Sequence, residues 1–123
     1  MTESRVLIVE DDSAMADTLE SMVNLLGYSA IVVHTSRQAL DAAMREHPDV
    51  ILLDLNLPGI NGFEVCLYLK REPSLASTPV IFVSAESDEA TIARAKEVGG
   101  IDYLIKPIGI DDLESSMAKA MIP

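Results

Sequence analysis

Apolar and polar residues form blocks along this chain, and the blocks have two different periods. Short apolar runs rich in β-branched and large aliphatic residues are typical of strands that are covered on both faces in a parallel sheet. Between these runs, apolar residues recur every three or four positions, which is typical of amphipathic helices. The predicted strands are 5–10, 28–33, 50–54, 80–83 (ending at Ser84) and 102–105.

A helix is predicted after each strand, and short polar residues mark several of the helix starts. The first helix begins at about Ser13, with Asp12 and Ser13 assigned to its cap, and Gly27 is the predicted cap at its other end. Thr35 and Gln38 form a capping-box pattern that opens the second helix. The other helices are predicted from about residue 62 to 71, from 87 or 88 to 99, and from 110 to 121. The residues predicted to face the core in the second, fourth and fifth helices are Leu40, Ala43, Met44, Ile92, Ala95, Val98, Leu113, Met117, Ala120 and Met121.

Strands and helices alternate throughout the chain and are joined by short loops. This alternation implies right-handed crossovers and a parallel sheet with helices on both faces. The sequence therefore predicts an α/β fold, a doubly wound (βα)5 sheet of five strands. At 123 residues the chain fits one domain, 1–123, which either stands alone or belongs to a longer protein.

Composition narrows the function further. Nine Lys and Arg residues against 20 Asp and Glu residues give a formal net charge of -11, so we expect repulsion from phosphate backbones and no direct nucleic-acid binding. We expect no membrane segment, because no apolar run approaches the roughly 18 residues that a spanning helix needs, and the N-terminus does not resemble a signal peptide. The single cysteine, Cys66, is predicted to be a core thiol and is compatible with a cytoplasmic location.

Polar residues of chemical interest follow the predicted strands. Glu10 and Asp11 lie at the end of the first, Asp54 ends the third, Ser84 ends the fourth, and Lys106 follows the fifth. The carboxyl ends of parallel strands share one edge of a sheet, where ligands collect. Carboxylates that converge there repel one another unless a cation compensates. Mg²⁺, which prefers oxygen ligands, is the natural choice.

Each of these residues, taken alone, also has a simpler explanation. Asp54 could form a turn, Ser84 could cap one, and Lys106 could be a solvated surface cation. These explanations do not account for the placement of an acid pair, an aspartate, a hydroxyl and a lysine at the same ends of four strands. His34 and His47 are predicted to lie away from this edge and are assigned no role.

Four segments together resemble the receiver domain of two-component response regulators. They are VEDD at 9–12, LLDLNLPGINGFE around Asp54, VSA at 83–85 and DYLIKP at 102–107, and the resemblance covers nearly the whole chain in order and spacing. It implies a flavodoxin-like sheet with the strand order 2-1-3-4-5.

The resemblance also implies roles for the residues at the strand ends. Asp54 corresponds to the phosphoacceptor, and Lys106 to the lysine that pairs with the phosphoryl group. Glu10 and Asp11 correspond to the acidic pair, with Asp11 the direct Mg²⁺ ligand and Glu10 acting partly through water. Asp54 and the main-chain carbonyl of Asn56 complete the expected Mg²⁺ ligands.

Further positions match the family's switch and its control of phosphoryl lifetime. Ser84 matches the hydroxyl that bonds the phosphoryl group in the active state, and Tyr103 matches the aromatic residue that then turns inward. Asn56 and Glu86, which flank the path of the attacking water, are expected to set the lifetime of the phosphorylated form. The Lys106–Pro107 bond is expected to be cis.

The function implied is Mg²⁺-dependent phosphoryl transfer to Asp54 from the phosphohistidine of a sensor kinase or phosphotransfer protein, followed by hydrolysis in the same site. The domain would be a signalling phosphoprotein and not an enzyme with an external substrate. Phosphorylation would switch the face formed by helix 4, strand 5 and helix 5 towards an effector or output domain. The fifth helix lacks the arginine that winged-helix regulators place there, so the expected state is a monomer or a phosphorylation-dependent dimer.

Two other classes of protein share some of these features. A haloacid-dehalogenase-type phosphatase also uses an aspartyl nucleophile and Mg²⁺, but it needs a second aspartate at the position of Asn56. A degenerate receiver that acts only as an interaction module would not need Asp54, Ser84 and Lys106 together. Nucleotide binding is disfavoured because the sequence has no Gly-rich or Walker A pattern.

Overall fold

The computed structural model describes residues 4–121, and within them five parallel strands alternate with five helices. The elements are β1 (Arg5–Val9), α1 (Ser13–Leu25), β2 (Ser29–Val33), α2 (Ser36–Glu46), β3 (Val50–Asp54), α3 (Gly62–Arg71), β4 (Val80–Ser84), α4 (Glu89–Glu97), β5 (Asp102–Ile105) and α5 (Ile110–Ala120). The strand order is β2-β1-β3-β4-β5. The predicted fold class and strand order are confirmed, and the predicted element bounds agree to within one or two residues.

The sheet has an apolar core on each face, because successive residues of its strands point to opposite sides. In β1, Val6 and Ile8 join the core that packs against α1 and α5. Leu7 and Val9 join the core that packs against α2, α3 and α4. Every residue of β3 and β4 is buried, as the unbroken apolar runs in the sequence predict for central strands.

Helix α1 begins where the sequence predicts, and its C-cap lies one residue earlier than predicted. The Asp12 side chain accepts a hydrogen bond from the Met15 N–H at 3.0 Å, as expected of an N-cap. Leu26 is the C-cap, and Gly27 follows it with φ at +92°. The Gly27 N–H donates to the Asn24 carbonyl at 3.0 Å. Gly27 therefore ends the helix in a left-handed conformation one residue beyond the cap itself.

Helix α2 starts where the sequence predicts, but its capping box is only half formed. The Thr35 side chain accepts a hydrogen bond from the Gln38 N–H at 3.2 Å. The Gln38 side chain does not return to Thr35; its Oε1 accepts from the His34 N–H at 2.9 Å. The cap therefore also fixes the backbone that leaves β2.

The prediction that Met44 faces the core is wrong. Met44 is 46 % exposed, whereas Ala39, Ala42 and Ala43 are buried and Leu40 is partly buried. Small side chains let α2 lie close to the sheet and to α3, and the long Met44 side chain lies at the outer border of that contact. In the fourth and fifth helices the predicted core residues are buried or partly buried.

Within residues 4–121, no helix combines the length and the apolar character needed to cross a membrane. Cys66 is fully buried and donates to the Val98 carbonyl at 3.4 Å, as expected of a core thiol. Burial raises the pKa of this thiol to about 11, although the nearby Lys70 charge opposes the shift.

Candidate functional site

The polar residues predicted to share one sheet edge do so in the structure. Glu10 directly follows β1, Asp54 ends β3, Ser84 ends β4, and Lys106 directly follows β5. The last two are joined through the backbone, since the Lys106 N–H donates to the Ser84 carbonyl at 2.8 Å. We call this border the carboxyl edge of the sheet.

Three carboxylates converge at the carboxyl edge. One oxygen from each of Glu10, Asp11 and Asp54 lies within 4.8 Å of the others. Glu10 and Asp54 are buried, at 1 % and 4 % exposure, whereas Asp11 is exposed. We call these three residues the acidic cluster.

Lys106 supplies the positive charge beside the acidic cluster. Its Nζ lies 2.7 Å from Glu10 Oε1 and 3.4 Å from Asp54 Oδ2. The other oxygen of each buried carboxylate is held by the backbone. Glu10 Oε2 accepts from the Asp12 N–H at 3.2 Å, and Asp54 Oδ1 accepts from the Asn56 N–H at 3.2 Å. Both side chains are therefore fixed at both of their oxygens.

The charges at this edge perturb one another. Burial raises the pKa of Glu10 above its usual value, Asp54 adds to the increase, and Lys106 opposes it. Burial alone would lower the pKa of Lys106, but Glu10 and Asp54 outweigh burial, and the pKa is raised. Lys106 therefore stays protonated at neutral pH.

The donor set fits a hard divalent cation. All three side chains of the acidic cluster offer carboxylate oxygens, the ligands that Mg²⁺ prefers. Mg²⁺ binds oxygen at about 2.1 Å, so ligands on opposite sides of the ion are about 4.2 Å apart, close to the 4.8 Å limit that contains the three oxygens. Glu10 Oε1 is buried without a well-aligned hydrogen bond and has only the ion pair with Lys106.

Ser84 and Tyr103 meet at the backbone of Glu86. Ser84 is fully buried, and its Oγ accepts from the Glu86 N–H at 3.1 Å. The Tyr103 hydroxyl donates to the Glu86 carbonyl at 2.8 Å. Burial raises the pKa of Tyr103 above its usual value, and the nearby carboxylates of Glu86, Asp88 and Asp54 contribute to the increase.

The Glu86 side chain itself is exposed, as is Asn56. The Lys106–Pro107 bond is cis, as expected.

The prediction that His34 lies away from the site edge is wrong. His34 follows β2, whose carboxyl end lies beside that of β1, and its Nδ1 is 2.9 Å from the Glu10 main-chain oxygen. The parallel pairing of β1 and β2 is the signal that could have placed it there. His47 is the C-cap of α2, in agreement with its predicted position at the helix end.

Comparison with known proteins decides the family. A sequence model of the response regulator receiver domain matches residues 6–118. The chain belongs to this family. As a receiver domain, it functions in two-component phosphoryl-transfer signalling.

Individual relatives agree with this assignment. The receiver domain is 36 % identical to the transcriptional regulatory protein YxdJ of Bacillus subtilis over 88 % of its own length and 46 % of that protein. It is 35 % identical to the DNA-binding response regulator MtrA of Mycobacterium tuberculosis over 84 % of its own length and 44 % of MtrA. The chain thus spans about half the length of the curated relatives it matches.

A solved structure agrees as well. The crystal structure of a putative response regulator from Chloroflexus aurantiacus has a TM-score of 0.93 to the receiver domain and 28 % sequence identity. The match covers 97 % of this chain and 98 % of that one.

Proposed function

We propose that this receiver domain accepts a phosphoryl group on the Asp54 carboxylate. The observation that carries the proposal is the position of Asp54: it is buried, 3.4 Å from the Lys106 ammonium, and shares a cluster of oxygens with Glu10 and Asp11. A carboxylate with a fixed cation and a divalent-metal donor set beside it is equipped to receive a strongly anionic group.

The proposed donor is a phosphohistidine on a sensor kinase or phosphotransfer protein. An Asp54 oxygen forms a bond to phosphorus while the bond between phosphorus and the histidine nitrogen breaks, and the departing imidazole takes up a proton. The domain contributes positioning and charge neutralisation to this transfer. Lys106 is placed for neutralisation, because it already bridges Glu10 and Asp54.

The proposed cofactor is Mg²⁺, held by Asp11, Asp54 and the Asn56 main-chain carbonyl, with Glu10 acting partly through water. The ion would neutralise charge on the phosphoryl oxygens. An indirect role for Glu10 is supported by its close ion pair with Lys106, which occupies one of its oxygens.

The proposed response begins at Ser84. When the phosphoryl group forms on Asp54, the Ser84 hydroxyl turns to bond it and gives up its hydrogen bond from the Glu86 N–H. Tyr103 follows, because its hydroxyl is bonded to the carbonyl of the same residue. The equilibrium at the face of α4, β5 and α5 shifts accordingly. The domain then assists its own dephosphorylation, with Asn56 and Glu86 setting the rate.

The proposed setting is the cytoplasm, which is compatible with the buried, unpaired Cys66 thiol. A formal charge of -11 supports the proposal that this domain itself does not bind nucleic acid. The relative MtrA is named as DNA-binding, so the absence of nucleic-acid binding is not confirmed. The proposal concerns this receiver domain alone. The remaining proposed partner is an effector or output domain. The proposed oligomeric state of the receiver is a monomer or a phosphorylation-dependent dimer.

Intact-mass spectrometry tests the assignment of Asp54. After incubation with Mg²⁺ and a small phosphodonor, the wild-type protein should gain one phosphoryl group, and Asp54→Asn should gain none. Asp41→Asn is the matched control, because Asp41 is an exposed aspartate on α2 outside the acidic cluster. Equal labelling of the wild type and Asp54→Asn would contradict the assignment.

A further inference from the structure

A buried hydroxyl lies at the start of α2 and reaches the loop that follows Asp54. Ser36 is only 5 % exposed. Its Oγ donates to the Pro58 carbonyl at 3.1 Å and accepts from the Ile60 N–H at 3.3 Å. One side chain of α2 thus hydrogen-bonds the loop between β3 and α3 on both sides of Gly59. We call residues 55–61 the β3–α3 loop.

The loop is shaped closely around this hydroxyl. Gly59 has φ at +92°, and a Cβ placed on it would lie 2.8 Å from Ser36 Oγ. Leu57 and Ile60, on either side, pack against the core beneath α2 and α3. The backbone therefore passes over Ser36 in a conformation that uses its hydroxyl both as a donor and as an acceptor.

Ser36 supplies the attachment at the middle of this loop. At the ends, the Gly62 N–H donates to the Leu55 carbonyl at 2.9 Å. Near the start, the Asn56 N–H donates to Asp54 Oδ1 at 3.2 Å. Within residues 4–121, Ser36 is the side chain that hydrogen-bonds residues 58–60. Residues 58–60 would gain local freedom if the two hydrogen bonds to Ser36 were lost.

We propose that Ser36 is a positioning residue for the cation site. By fixing the β3–α3 loop, its hydroxyl holds the Asn56 main-chain carbonyl in the orientation that completes the set of oxygens around the acidic cluster. This inference rests on the proposed Mg²⁺ site and adds a residue to it that does not touch the ion. Partners that orient metal ligands commonly change metal affinity by about tenfold or more when removed.

The decisive comparison is Ser36→Ala against Thr35→Ala. The two residues are neighbours at the start of α2, and the Thr35 side chain caps the helix by accepting from the Gln38 N–H. Three quantities are measured for each variant of the 123-residue chain: Mg²⁺ affinity by calorimetric titration, the midpoint of thermal unfolding, and the amide exchange rate of Ile60. We expect Ser36→Ala to bind Mg²⁺ about tenfold more weakly and to exchange the Ile60 amide faster. Thr35→Ala should lower the unfolding midpoint and keep wild-type Mg²⁺ affinity.

The outcomes separate this inference from the proposed function. If the wild type binds Mg²⁺ and Ser36→Ala binds it equally well, the inference is overturned and the proposed function stands. Equal weakening in both variants also overturns it, because general destabilisation of α2 would then explain the loss. A wild-type protein with no saturable Mg²⁺ binding overturns both. Should Ser36→Ala fail to fold, Ser36→Gly removes the hydroxyl together with the Cβ, and the same comparison applies.

Discussion

At the scale of single residues, the acidic cluster has more negative charge than its lysine can neutralise. Glu10, Asp11 and Asp54 present three carboxylates, and Lys106 presents one ammonium group. When all are ionised, two negative charges are left over in a partly buried site. A divalent cation matches this excess. Burial is the first cause of the raised pKa of Glu10, and the neighbouring Asp54 adds to it.

The adjacent residues Asp11 and Asp12 should show opposite effects when changed to alanine. Asp11 belongs to the acidic cluster, whereas the Asp12 side chain caps α1 through the Met15 N–H. Asp11→Ala should therefore lose most Mg²⁺ affinity with little change in the free energy of unfolding. Asp12→Ala should keep its affinity and lose about 1 kcal/mol of stability. Mg²⁺ titration and urea unfolding of both variants check this, and the reverse pattern would show that the roles are exchanged.

The phosphorylated form should be short-lived, because the residues beside the site leave room for water. Asn56 and Glu86 are both exposed and neither is a long cation. A long basic side chain at each position could cover the phosphoryl group and pair with its charge. The double variant Asn56→Arg with Glu86→Lys should lose its phosphoryl group several-fold more slowly than the wild type in a time course of dephosphorylation. Equal rates would show that these two residues do not set the lifetime.

Residues that act through side-chain chemistry were predictable from the sequence, and residues that act through tertiary contacts were not. Asp54 and Lys106 are predictable because both fall at strand ends on the same edge of the sheet, and the resemblance of the motifs implies their roles. Ser36 is an ordinary serine after a helix cap, and only the path of the β3–α3 loop brings its hydroxyl into contact with Pro58 and Ile60. His34 is predictable from the sequence after all: the strand order 2-1-3-4-5 puts the carboxyl end of β2 beside that of β1, and His34 therefore near Glu10.

At the scale of elements, α3 begins so close to β3 that its first residue must be glycine. A Cβ on Gly62 would lie 2.5 Å from the Asp54 carbonyl oxygen and 2.8 Å from the Leu55 Cα. Both are backbone atoms, which cannot move aside as a flexible side chain does. The helix start and the position of the Asp54 side chain are therefore coupled.

Gly62→Ala should consequently impair both stability and phosphorylation. The clash costs roughly 1–3 kcal/mol and displaces the backbone that carries Asp54, so labelling by a phosphodonor should slow at least several-fold. The control is Leu69→Ala, a buried position later on α3. It should destabilise by about 2–5 kcal/mol while the remaining folded protein labels at the wild-type rate. If the labelling rate falls in proportion to the loss of stability in both variants, a specific effect of Gly62 is excluded.

Element ends were predicted well, because caps are local. Thr35, Asn61 and Asp88 each accept a hydrogen bond from the N–H three residues later. The inward face of α2 was predicted less well. The α2 sequence has alanines at several positions, so its apolar pattern is compatible with more than one rotation of the helix about its axis. In the structure α2 packs against α3 in the rotation that leaves Met44 exposed.

At the scale of the whole molecule, alternation of strands and helices predicts a parallel sheet but not which strands are neighbours. The order β2-β1-β3-β4-β5 came from the resemblance of the motifs, and the structure confirms it. The burial of the strands agrees with that order. All residues of the central β3 and β4 are buried, whereas all those of the edge strand β2 are only partly buried.

The net charge of the whole domain should affect how fast small donors phosphorylate it. A formal charge of -11 repels anions approaching the carboxyl edge, and salt screens this repulsion over a distance of about 10 Å at 0.1 M ionic strength. At a fixed, saturating Mg²⁺ concentration, the labelling rate with the dianionic donor acetyl phosphate should rise as sodium chloride is added. The rate with the monoanionic donor phosphoramidate should rise less. Quenched samples analysed by intact mass give both rates, with Asp54→Asn as the blank. A fall in the acetyl phosphate rate with salt, or the same response for both donors, would mean that the local field of Lys106 and the cation outweighs the charge of the whole molecule.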